Sequence, residues 1–80
     1  MEIIYTKRAA KHIAKLDKPT KNRIKAGIEG IPGGDIKRLQ GITPPEFRLR
    51  VGEYRIIFEM TTEEIVIRDV LPRGKAYERL

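Results

Sequence analysis

Eighty residues with 40% hydrophobic content make one small domain, residues 1–80, that needs nearly all of its apolar side chains for packing. The chain has no cysteine, which excludes a disulfide framework, a thiolate nucleophile and thiolate metal ligands. Seventeen basic residues against eleven acidic ones give a net charge of +6, which favours polyanionic partners: RNA, DNA or an acidic protein segment. With two Phe, three Tyr and no Trp, a broad aromatic platform for single strands is not expected. No apolar run approaches the roughly 20 residues that span a bilayer, and Met-Glu-Ile-Ile-Tyr lacks the basic and apolar regions of a signal peptide. A cytoplasmic protein is expected.

Residues 2–5 form a short first strand. Thr6 is positioned to cap a helix running to about Leu16, with Ala9, Ile13 and Leu16 on one face. Asp17-Lys18-Pro19-Thr20 breaks it, and a second helix extends from Pro19 or Thr20 to Glu29 with Ile24, Ile28 and Ile31 as its buried stripe. The short link predicts a helical hairpin. Gly30–Asp35 opens an irregular stretch anchored by Leu39 and Ile42 and stiffened by Thr43-Pro44-Pro45. Two strands follow between about Glu46 and Met60. A polar turn at Thr61–Glu64 then leads into a further strand to Leu71, and Pro72–Tyr77 turns away into a charged tail. The order β-α-α-β-β-β predicts an α+β fold, with a two-helix hairpin packed on one face of a small, mainly antiparallel sheet.

The run Phe47-Arg-Leu-Arg-Val-Gly-Glu-Tyr-Arg-Ile-Ile-Phe-Glu59 reads as a tight hairpin. Gly first in the two-residue connection Gly52-Glu53 is the signature of a type II′ turn, which fixes the register. Val51 then pairs with Tyr54, Leu49 with Ile56 and Phe47 with Phe58, all facing the helices. Arg50 faces Arg55 on the opposite side, with Arg48 two residues away, and this second face is expected to be open. The final strand is ambiguous. Ile65, Ile67 and Leu71 share one parity with Asp69, Val66 and Val70 the other, and a bulge in the Thr61–Glu64 turn would change the register.

Arg48, Arg50 and Arg55 are the first candidate site, because guanidinium groups form bidentate bonds to phosphate and stay charged. The competing reading pairs them with Glu46, Glu53, Glu59 and Asp69 as a solvated face. Arg73, Lys75 and Tyr77 are a second group that could fold back over the sheet. Cations around Tyr77 would lower its pKa and make it usable as a base, while the alternative leaves it as a tail residue packed on the core. His12, the one histidine, is expected on the surface, and neither it nor Glu63-Glu64 makes a metal site. The Gly30–Asp35 stretch lacks the spacing of a nucleotide loop, and a chain without serine has no Ser-His-Asp triad.

The hairpin motif, together with the ending Val70-Leu-Pro-Arg-Gly-Lys-Ala-Tyr77, resembles the RelE/ParE superfamily of type II toxin–antitoxin toxins. The similarity covers nearly the whole chain. It implies a metal- and cofactor-independent endoribonuclease that enters the ribosomal A site and cuts mRNA by attack of the substrate's own 2′-hydroxyl. Its partners would be mRNA, ribosomal RNA and an acidic antitoxin that wraps the toxin with a helix and an extended segment. The resemblance makes Arg55 the stabiliser of the transition state, Arg73 an acid or leaving-group stabiliser, and Tyr77 a base or stacking residue. Arg48 stands where the best-known branch has lysine and would bind phosphate, with Arg50 and Lys75 as further substrate contacts. Glu46 replaces another lysine and Pro72 a frequent histidine, so the base is left between Tyr77 and Glu46. The same resemblance admits a ParE-like inhibitor of DNA gyrase, or a worn toxin that only binds its antitoxin.

Overall fold

A computed structural model of the chain describes residues 2–39, 41 and 45–72. Strand β1 (Glu2–Tyr5) ends at Thr6, whose Oγ1 accepts the Ala9 N–H at 3.2 Å and caps helix α1 (Lys7–Ala14). The same hydroxyl donates to the Arg68 carbonyl at 3.1 Å, tying the helix start to the sheet. Helix α2 (Lys18–Glu29) starts at its own cap, Asp17, so Pro19 sits in the first turn, where its missing N–H costs nothing. Asp17 accepts from Thr20 Oγ1 at 2.6 Å, and this bond holds its carboxyl below the ordinary carboxylate range. The cap is therefore complete at neutral pH and is lost only as pH falls through that lowered value.

Strands β2 (Asp35–Arg38), β3 (Phe47–Val51), β4 (Tyr54–Met60) and β5 (Glu64–Pro72) complete a sheet of order β1-β5-β4-β3-β2. β1 runs parallel to β5, and all other pairs are antiparallel. The architecture is the expected α+β one with an added edge strand, β2, in the stretch expected to be irregular. The Ile42 anchor, Thr43-Pro44 and the turn beyond Pro72 lie outside the described residues.

The hairpin has the register expected from its turn. Phe47, Leu49 and Val51 pair with Phe58, Ile56 and Tyr54, and Arg50 pairs with Arg55. Gly52 has φ +58° and Glu53 does not have positive φ, as a type II′ turn requires. On the helix side, Ala9, Ile24, Ile28, Leu49, Ile56, Phe58, Ile65, Ile67 and Val70 form one buried cluster, with Phe47 and Phe58 stacked at 5.5 Å between centroids. Gly27 lets α2 approach β3 closely: a Cβ there would lie 2.8 Å from Val51 Cγ2.

The bulge lies within β5 and not in the Thr61–Glu64 turn. Phe58 pairs with Ile67 and Ile57 with Asp69, so Arg68 is the extra residue. Without it, Ile65 and Ile67 could not share the helix-facing side with Val70. The bulge also borders Asp69, which is fully buried and reaches α1. His12 Nδ1 donates to Asp69 Oδ1 at 2.7 Å, and Arg8 Nε forms an ion pair with Asp69 Oδ2 at 2.9 Å. Both Asp69 Oδ1 and the Val70 carbonyl, 3.2 Å from His12 Nδ1, are acceptors, so Nδ1 carries the hydrogen. His12 is thus not a surface residue, as the sequence suggested. It is half-buried and pins α1 to the sheet beyond the end of β1.

The second sheet face is not open either. Ile57 is 1% exposed, and Leu39 and Leu71 are also buried outside the helix-side cluster. The reason is compositional. Ile56-Ile57-Phe58 and Val70-Leu71 place apolar side chains on both parities, the pattern of strands covered on both faces.

Two substitutions test this packing. Ile57→Ala will lower unfolding free energy by about 2–5 kcal/mol in urea titration, as a core deletion does, whereas an open face would leave stability nearly unchanged. His12→Ala will cost about 1.5–3 kcal/mol, the worth of a hydrogen bond to a charged group, and thermal melts will show partial recovery in His12→Asn.

Candidate functional site

The Gly52-Glu53 turn and the antiparallel ladders gather cations on the sheet face away from the helices. Arg50 and Arg55 are direct cross-strand partners, and Arg48, opposite Ile57, points to the same side. Strand β2, missed at the level of sequence, adds Lys37 opposite Arg48 and Asp35 opposite Arg50. Like charges placed this way destabilise a sheet by roughly 0.2–1 kcal/mol per pair, which Asp35 beside Arg50 partly offsets.

The three arginines differ in environment. Arg50 is exposed, Arg48 is half-buried and Arg55 is only 3% exposed. Arg55 Nη1 donates to the carbonyls of Gly52 and Tyr54 at 3.4 and 3.3 Å, both long contacts. The Nε atoms of Arg48 and Arg55 are buried without a hydrogen-bond partner among the described residues. A buried donor left in this state has lost its water without full replacement. A guanidinium stays protonated throughout the accessible pH range, so the deficit cannot be relieved by loss of a proton.

The acidic residues are distributed differently from a simple solvated face. Glu59 pairs with Arg68 at 3.3 Å, and Asp69 pairs with Arg8 and His12. Glu46 is buried and engaged in an interaction of its own, while its carbonyl accepts the Leu39 N–H at 2.9 Å. Arg73, Lys75 and Tyr77 lie outside the described residues. The residue that precedes them, Pro72, pairs with Tyr54, next to the Arg55–Leu71 pair.

The resemblance drawn from the two motifs agrees with comparisons to known proteins. A family model described as the ParE toxin of the type II toxin–antitoxin system parDE matches residues 3–77. Among solved structures, the chain is similar to one in the RelB–RelE antitoxin–toxin complex of Methanococcus jannaschii, at 28% identity and TM-score 0.77, over 96% of this chain and 98% of that one. It is also similar to one in the archaeal RelE–RelB complex of Pyrococcus horikoshii OT3, at 25% identity and TM-score 0.73, over 92% and 96% of the two chains. No curated protein matches the chain. The match over nearly the whole length, on a fold shared with RelE chains, means that this chain belongs to the ParE toxin family of the RelE/ParE superfamily and is a toxin of a type II toxin–antitoxin system.

Proposed function

We propose that this toxin is a ribosome-dependent endoribonuclease that cuts mRNA, works in the cytoplasm and is neutralised by a cognate antitoxin. The observation that carries the reading is Arg55, a buried guanidinium with an unpartnered Nε on a face that also holds Arg48 and Arg50. Buried, fixed donors of this kind stabilise charge that develops on a phosphoryl group more strongly than solvated ones.

In the proposed reaction the substrate's 2′-oxygen attacks the adjacent phosphorus. The P–O5′ bond breaks, leaving a 2′,3′-cyclic phosphate and a 5′-hydroxyl. Arg55 stabilises the negative charge gathered on the non-bridging oxygens, while Arg48, Arg50 and Lys75 hold the RNA backbone. Arg73 supports the departing 5′-oxygen. The proton of the 2′-hydroxyl goes to Tyr77 or to Glu46, and one proton is returned to the 5′-oxygen, so the step balances without a metal or cofactor. The two RelE chains similar to this one were each solved in complex with RelB, which supports an antitoxin as partner. An acidic segment would complement the arginine face and the net charge of +6.

A second reading, inhibition of DNA gyrase, is favoured by the ParE identity of the matching family model. The two separate in one comparison, mRNA cleavage on programmed ribosomes against gyrase supercoiling by the same preparation. Ribosome-bound mRNA will be cut and supercoiling will be unaffected; gyrase inhibition without cleavage overturns the proposal. Within the cleavage assay, Arg55→Ala will reduce the rate by about 10²–10³-fold, the usual effect of deleting one transition-state donor. Arg55→Lys, which keeps charge without the planar fork, will recover only part of it. Tyr77→Phe will also reduce the rate sharply with an unchanged circular dichroism spectrum, and full activity would remove Tyr77 from the mechanism.

A further inference from the structure

A cleft of about 370 Å³ lies at the sheet end, between one face of α1, continued by Lys15 and Leu16, and the β4–β5 ladder. One wall carries two cations, Arg8 and Lys15, with His12 between them. Arg8, His12 and Lys15 follow at i, i+4 and i+7, which places them on one face of the helix. The other wall is apolar and aromatic, made by Tyr54, Leu71 and Pro72.

The cationic wall is anchored from beneath. Arg8 meets Asp69 through Nε, and its side chain remains 66% exposed, so part of the guanidinium is available to an anion. His12 Nδ1 is committed to Asp69 and the Val70 carbonyl, which leaves Nε2 as the ring nitrogen not bound into the sheet among the described residues. The buried carboxylate accounts for Arg8 and His12 as a staple of the fold. It does not account for exposed Lys15 beside them, or for the proline and the partly core-packed tyrosine that line the same cleft.

We infer that this cleft is a second nucleic-acid contact, in which one nucleotide of a single strand sets its phosphate against Arg8 and Lys15 and its base against Tyr54 and Pro72. Charged donors on one wall and a flat apolar surface on the other are the two chemistries that sequence-tolerant single-strand binding combines. The position favours RNA over an acidic peptide. Tyr54 directly precedes Arg55, and Leu71, at the cleft, is the cross-strand partner of Arg55. A strand passing around this end of the sheet would meet the cleft on one side and the arginine face on the other. The inference rests on the nuclease reading for the identity of that strand, but the cleft can be tested separately from catalysis.

The probe is a fluorescein-labelled ten-nucleotide 2′-O-methyl oligouridine, which lacks the attacking hydroxyl and so is not cut. Fluorescence anisotropy is measured across a salt series, with circular dichroism as the check on folding. Lys15→Gln will weaken binding and reduce the magnitude of the log–log salt slope by about 0.7, the share of one phosphate on a single strand. Tyr54→Leu, which keeps an apolar side chain and removes the ring, will weaken binding about fivefold or more through lost stacking, with little change in slope. Loss in both variants supports the cleft, whether or not Arg55→Ala also weakens the probe; the nuclease reading stands or falls separately, on cleavage of ribosome-bound mRNA by the unsubstituted protein. If only Arg55→Ala weakens the probe, the cleft is overturned. If both cleft variants bind the probe normally but lose affinity for a labelled oligoglutamate, the cleft serves an acidic protein segment and the inference is equally overturned.

Discussion

The β4–β5 ladder runs through the middle of the sheet, and the single residue inserted into it at Arg68 decides which side chains meet the helices. Before the insertion, Ile65 and Ile67 face the core. After it, Val70 takes over that role, and Leu71 moves to the other face opposite Arg55. Removing the insertion would turn half of β5 inside out, because the side-chain period of a strand is two. The same irregularity borders Asp69, the buried carboxylate that receives Arg8 and His12 from α1. Register, core composition and helix attachment therefore share one local cause.

A consequence is a sheet used on both sides. The helix side is an ordinary apolar core. The other side combines buried isoleucine and leucine with a nearly buried arginine, an arrangement that stability alone does not favour. Desolvating a guanidinium costs several kcal/mol when its hydrogen bonds are incomplete. Well-packed neighbours such as Ile57 and Leu71 stabilise the sheet enough to hold Arg55 in place, and they also exclude the water that would otherwise weaken its field. Packing and electrostatics on this face are coupled, so substitutions of its apolar residues are also substitutions of the arginine's surroundings.

Much of this was legible in the amino-acid order because the signals were local. Gly52-Glu53 encodes a turn whose geometry fixes every pair in the hairpin, including the Arg50–Arg55 juxtaposition. Thr6 marks a helix start by cap chemistry that acts within three residues, whereas Asp17, legible only as part of a break, caps α2. The parts that were not legible depend on distant partners or on short segments. Asp-Ile-Lys-Arg at β2 is four residues long and mostly charged, and it is a strand only because β3 offers a ladder. His12 looked solitary because its partner lies 57 residues away. The covered second face did leave a trace in the adjacent Ile56-Ile57 and Val70-Leu71 pairs, which fit strands buried on both sides better than a half-exposed sheet.

The parallel pairing of β1 with β5 bears on when the molecule can form. Glu2 pairs with Glu64 and Tyr5 with Ile67, so the opening residues must wait for the fifth strand before they find their ladder. Contacts between distant parts of a chain slow folding, because loop closure precedes any gain from pairing. At roughly 5–20 residues per second of synthesis, the first strand and α1 emerge seconds before Asp69 and the rest of β5. A growing chain that has reached only β4 lacks both the partner of β1 and the carboxylate that holds α1 down. The topology thus delays assembly of the domain until its fifth strand has been made, a consequence of the order in which the strands are translated.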